Sequence, residues 1–122
     1  MKNPIRWFEI YVQDMKRAKQ FYESVFDVRL TQIDSSDTEM WGFPSDPEHW
    51  GCSGSLVKME GLVPSGISTI VYFASDDCAI EEKKLIASGG KIHKSKFSIG
   101  PYGFISLGYD TEGNMIGIHS MK

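Results

Sequence analysis

The chain is poor in cysteine, with only Cys52 and Cys78. Two thiols cannot build a disulfide framework, and their separation matches no metal-binding spacing. A reduced, cytoplasmic protein is the expectation. Long apolar runs are missing too, so no segment reaches the roughly 20 residues that span a bilayer. Met1-Lys2-Asn3-Pro4 leads into a strand pattern, not into the apolar stretch of a secretory signal. An excess of charge of one sign is also lacking. A net charge of -3 argues against nucleic acid as the partner, since that function wants a basic face. The longest basic stretch, Lys91 to Lys96, is broken by Ile92, His93 and Ser95 and reads as a solvated strand edge. No G-x-S-x-G elbow occurs, and the serines have no His/Asp arrangement around them. Gly100-Pro101-Tyr102-Gly103 lacks the lysine and the strand-to-helix setting of a phosphate loop; it reads as a lid or a hairpin.

What the chain does have is one domain's worth of core-forming sequence. Its 122 residues can bury a core unaided, and three Trp, five Tyr, seven Phe and six Met provide adaptable apolar surface. Residues 5–12 alternate with period two. Phe8, Ile10 and Val12 form a plain core face, and Trp7, Glu9 and Tyr11 point the other way. Asp14 is a fitting N-cap for a helix to about Phe26, with Ala18, Phe21, Tyr22 and Val25 at helical spacing. Strands are predicted at Val28–Ile33, Thr38–Phe43 and Ser55–Met59, with a turn at Asp34–Asp37 and a linker at Glu60–Gly66.

The order then restarts. Ile67–Ala74 reads as a strand, Asp77 caps a second helix, and Gly89-Gly90 ends it in the left-handed region. Strands follow at Lys91–Phe97, Phe104–Tyr109 and Met115–Ser120, the last two joined by an Asp110–Gly113 turn. The final strand repeats the two-faced pattern: Ile116 and Ile118 on one side, Gly117 and His119 on the other. Setting Asp14 on Asp77 places Trp7 opposite Ile70 and Glu9 opposite Tyr72. The layout is strand, helix and three strands, twice.

The opening strand and helix, Val71-Tyr-Phe-Ala-Ser-Asp-Asp77, the Gly89-Gly90-Lys91 exit and the Asp110-Thr-Glu-Gly-Asn114 turn together resemble the glyoxalase/bleomycin-resistance/extradiol-dioxygenase superfamily, the vicinal oxygen chelate family. The resemblance covers nearly the whole chain. It implies an α+β fold of two βαβββ modules, about 4–60 and 66–121, within a single domain 1–122. Their mixed sheet would curl around a cavity with the helices outside. It also implies a small-molecule ligand and a homodimer. Many members hold a divalent metal. Carried over by position, the ligand sites fall on Trp7, Ile70, Gly117 and a position near Ser55. Those side chains lack the donors a metal requires, so neither metal nor other cofactor is expected.

Glu9 and His119 each lie two residues beyond one of these vacant positions. As a pair they could move a proton on a small acid or carbonyl, or simply orient a ligand. The plainer alternative has Glu9 satisfying backbone or tyrosine donors and His119 near the rim. Trp7, Tyr11, Trp41, Phe43, Ile70, Tyr72, Tyr102, Phe104 and Gly117 are the candidate ligand-binding residues, although any of the rings could equally be packing. The expectation is a metal-independent small-molecule-binding protein. Its rivals are a lyase or isomerase using Glu9 and His119, and a metal-dependent lyase or dioxygenase with displaced ligands.

Overall fold

The computed structural model describes residues 3–35, 37–59 and 68–122. The predicted linker at Glu60–Gly66, the first residue of the predicted Ile67–Ala74 strand and Ser36 of the predicted turn lie outside them. By its contacts the chain divides into two compact units. One is Trp7–Thr69; the other is Ile70–Lys122 together with the stretch up to Arg6.

The first unit carries β1 (Ile5–Tyr11) from Trp7 onward, α1 (Met15–Phe26), β2 (Thr31–Ile33), β3 (Thr38–Gly42) and β4 (Ser53–Met59). Its strands lie in the order β2-β3-β4-β1. β1 runs parallel to β4, and the other two pairings are antiparallel. Asp14 caps α1 by accepting from the Arg17 N–H at 3.0 Å. At the far end Asp27 takes the left-handed conformation and its N–H bonds the Glu23 carbonyl. Met15, Leu30 and Leu56 are the buried centre, with Ile10, Val12, Ala18, Tyr22, Trp41 and Phe43 packed against them. The apolar stripe predicted for α1 is only half used. Ala18 and Tyr22 turn inward below Met15, whereas Phe21 and Val25, on the flank of that stripe, are exposed.

The second unit repeats the plan with β5 (Thr69–Ala74), α2 (Cys78–Ala87), β6 (Lys91–Ser98), β7 (Phe104–Tyr109) and β8 (Met115–Ser120). The order β6-β7-β8-β5 reproduces that of the first unit, again with one parallel pair, β5 with β8. Asp77 caps α2 through the Ala79 N–H, and Gly89, at φ +98°, ends it where an L side chain would be strained. The α2 side of the strands is set at Cys78, which is fully buried; its N–H donates to Ser120 Oγ at 3.1 Å. Two βαβββ modules of α+β class are what the sequence pattern leads one to expect. The predicted loop at Gly100–Gly103 begins with a 3-10 turn, Gly100–Tyr102, and β2 starts at Thr31, three residues later than predicted.

Candidate functional site

Alternation along each strand decides which side chains leave the helix side. Ile10 of β1 and Val12 just after it pack against the core beneath α1, so Trp7, Glu9 and Tyr11 lie on the helix-free face. In the parallel register Trp7 pairs with Ser53, Glu9 with Ser55 and Tyr11 with Val57. The Tyr11 hydroxyl donates to Glu9 Oε1 at 2.8 Å in a partly buried setting. Glu9 is therefore an oriented carboxylate among apolar neighbours. Ser55, beside it, is fully buried, and its hydroxyl has no hydrogen-bond partner among the described residues.

In the second unit the helix-free face carries Ile70 and Tyr72 from β5 and Gly117 and His119 from β8. Tyr72 pairs with Gly117, and both are buried. A Cβ at 117 would lie 2.2 Å from Tyr72 Cδ1 and 2.3 Å from Cε1. Glycine is required there because the tyrosine ring lies against the backbone. Glu9/Ser55 and Tyr72/Gly117 are thus corresponding pairs in the two modules, each joining the first strand to the last.

His119 is engaged at both ring nitrogens. Arg6 Nη1 lies 3.3 Å from Nδ1, and the Tyr102 carbonyl oxygen lies 2.6 Å from Nε2. A guanidinium only donates and a carbonyl only accepts, so Nδ1 is the acceptor and Nε2 carries the proton. The imidazole holds the Gly100–Tyr102 turn against β8. Neither nitrogen is open to a ligand in this arrangement. The Tyr102 ring itself is exposed.

Three predicted pocket residues belong to the other side of the strands. Trp41 pairs with Leu56, and Leu56 is part of the centre beneath α1, so both Trp41 and Phe43 face the helix. Trp41 borders a surface hollow of about 400 Å³ with Met15, Lys19, Glu23 and Glu39. Lys19 Nζ covers its ring at 3.2 Å, and its indole N–H donates to Glu39 at 3.0 Å. Phe104 pairs with Ser120, the residue that faces Cys78 of α2, and so lies on the α2 side. The residue that sequence reasoning passed over is Ser55. From sequence it reads only as a poor metal donor and as a serine without the neighbours of a nucleophile; what marks it is its pairing with Glu9.

The positions that the resemblance marks for metal ligands hold Trp7, Ser55, Ile70 and Gly117. An indole, a sec-butyl group and a glycine overlain by a ring offer no donor, and one serine oxygen does not bind a divalent ion by itself. Among the described residues no group of three or more His, Cys, Asp or Glu lies together. The residues present do not fit the metal.

Two βαβββ modules, each with a helix on one face and a mixed polar and aromatic set on the other, define an α+β fold built by repetition. The sequence profile of the Glyoxalase/Bleomycin resistance protein/Dioxygenase superfamily matches residues 5–118, and the chain belongs to that superfamily. Among solved structures it is similar to methylmalonyl-CoA epimerase from Mycobacterium tuberculosis, with a TM-score of 0.72 and 13% identity over 98% of this chain and 88% of that one. A hypothetical protein from Bacillus halodurans C-125 superposes with a TM-score of 0.75 at 10% identity, over 97% of this chain and 94% of the other. A superfamily member from Vibrio splendidus 12B01 gives a TM-score of 0.68 at 15% identity, over 95% and 98% of the two chains. At such identities the likeness concerns the fold. No curated protein matches the chain.

Proposed function

We infer that the protein binds a small organic molecule without a metal, using the helix-free faces of its modules. The observation that carries this reading is the Tyr72 ring packed on Gly117, at a position where a metal-binding relative would need a donor. Each face is taken by itself: Trp7 and Tyr11 supply apolar contact on the first module, Ile70 and Tyr72 on the second. Glu9, held by the Tyr11 hydroxyl, supplies the polar handle. His119 acts by fixing the turn that carries Tyr102. Native mass spectrometry of protein purified without chelator tests this reading. The expected spectrum shows an organic adduct, or the bare chain that takes one up, and no stoichiometric metal. A retained metal ion would favour a lyase or dioxygenase with displaced ligands.

A second reading is favoured by one observation, the Tyr11 phenol bonded to a partly buried carboxylate. That arrangement suits Glu9 to proton transfer in a lyase or isomerase. Several structures of similar fold are methylmalonyl-CoA epimerases, one of them in complex with methylmalonyl-CoA, so a CoA thioester is a reasonable first substrate to offer. Turnover that vanishes in Glu9→Gln while thioester binding persists would establish it.

Two further parts of the reading concern setting and assembly. Unpaired Cys52 and Cys78 support a reducing, cytoplasmic environment. Phe21, Val25 and Phe26, exposed together on α1, support a homodimer; sedimentation equilibrium at micromolar concentration would show twice the chain mass.

A further inference from the structure

On the helix side of the first module, a hollow of about 400 Å³ lies between α1 and β3, a volume within the range of small-molecule sites. Met15, which is buried, and the Trp41 indole give it an apolar lining. Its two carboxylates are committed to donors of the fold. Glu23 accepts from the Leu30 N–H at 2.9 Å, and Glu39 accepts from the Trp41 indole N–H at 3.0 Å. The cations are not committed in this way. Lys16 and Lys19 both line the hollow, and among the described residues neither makes an ion pair. Lys19 rests its ammonium on the Trp41 ring at 3.2 Å, a contact of modest worth where water reaches it. Lys16, Lys19 and Gln20 are three and four residues apart on α1, so one stripe of the helix presents all three donors to the hollow.

We propose that this hollow is a second ligand site and that it takes an aromatic carboxylate. It lies on the opposite side of the strands from Glu9 and stands independently of the reading given for the helix-free faces. Binding is an exchange. The ligand's carboxylate draws the Lys19 ammonium off the indole, and the ligand's ring takes the vacated place against Trp41. A charge-assisted hydrogen bond is stronger than a neutral one, and a ring-on-ring contact replaces the cation–π contact given up. Lys16 adds a second positive charge and Gln20 an amide donor, and a carboxylate only accepts. A cationic ring in the same place would sit beside two ammonium groups, while the carboxylates of the hollow are turned to Leu30 and Trp41.

Naphthoate and naphthamidine, alike in shape and opposite in charge, are the probes. The full chain is titrated by calorimetry and by the nuclear magnetic resonance of its tryptophan indole N–H groups, with Trp41→Phe identifying the Trp41 signal. Naphthoate is expected to bind about tenfold or more tightly than naphthamidine and to move the Trp41 resonance. Lys16→Gln and Lys19→Met should each weaken naphthoate about threefold. Both variants should fold, because Lys16 is exposed and methionine keeps an apolar stem over the indole. Glu39→Gln, whose amide oxygen still accepts from the indole, should tighten naphthoate about twofold by removing a like charge. A lysine that merely packs on a tryptophan moves none of these affinities. Equal binding of the two probes, a preference for naphthamidine, or no naphthoate binding overturns the site, and so does an affinity that neither lysine change alters. Naphthoate that moves the Trp7 resonance and leaves that of Trp41 still would overturn the hollow and leave the helix-free-face reading standing. Naphthoate that moves Trp41 alone, in a protein that carries no ligand on its helix-free faces, would uphold the hollow and remove that other reading.

Discussion

Gly117 is a residue that leaves no room for even a small addition. A single methyl would enter the space of the Tyr72 ring at 2.2 Å, and a buried ring has little freedom to withdraw. Gly117→Ala is expected to cost about 1–3 kcal/mol, the usual range for overpacking, read as a lowered midpoint in urea. Combined with Tyr72→Ala the penalties should be clearly less than additive, because removing the ring removes the clash. Additive losses would mean that the two residues do not share this contact. Some of this was legible beforehand. Glycine at 117 stood out as a missing donor, and Tyr72 as a residue of the same face. That the ring occupies the glycine's space required the cross-strand register, which no residue type announces.

Among the elements, the helix caps were the most legible part of the sequence, because an aspartate before an apolar helical period acts locally. Asp14 accepts from the Arg17 N–H, and Asp14→Ala is expected to lower stability by about 1 kcal/mol, measured by chemical denaturation. The strand faces were harder. Trp41, Phe43 and Phe104 sit on strands whose facing depends on partners far away in sequence, and a slip of one residue inverts a strand. Leu56 fixes Trp41 to the α1 side and Ser120 fixes Phe104 to the α2 side, so aromatic character alone misassigned them. Two carboxylates tie elements together in a pH-dependent way. The Lys96 ammonium, with the Ala79 N–H, holds the Asp77 carboxyl below its usual range. The backbone N–H and then the side-chain amide of Asn114 do the same for Asp110 in the β7–β8 turn. A carboxyl whose folded pKa is depressed adds stability above its unfolded pKa and loses it as pH falls through the folded value. Thermal melts from about pH 6 down to about pH 2 should therefore lose Tm below the ordinary carboxylate range near 4. Asp77→Asn and Asp110→Asn should each flatten that acid limb. An unchanged limb would mean that these bonds form equally in the unfolded chain.

For the molecule as a whole, the repeat of strand, helix and three strands was readable from punctuation: Asp caps, Gly exits and the Asp110–Asn114 turn. Near-absent identity between the halves did not hide it, since caps and turns answer to backbone geometry. The function was less readable, because membership of this superfamily fixes a scaffold and leaves the chemistry to the residues on the helix-free faces. Those residues are Glu9 and Ser55 in one module and Tyr72 and Gly117 in the other, and none of the positions expected to hold a metal offers it more than a serine hydroxyl. The most direct test is equilibrium dialysis of the intact protein against Ni2+, Zn2+, Mn2+ and Fe2+, followed by elemental analysis of the washed chain. Metal far below one equivalent, with an organic ligand still bound, is the predicted result. One tightly held ion per chain, released only by chelator and needed for ligand binding, would contradict it.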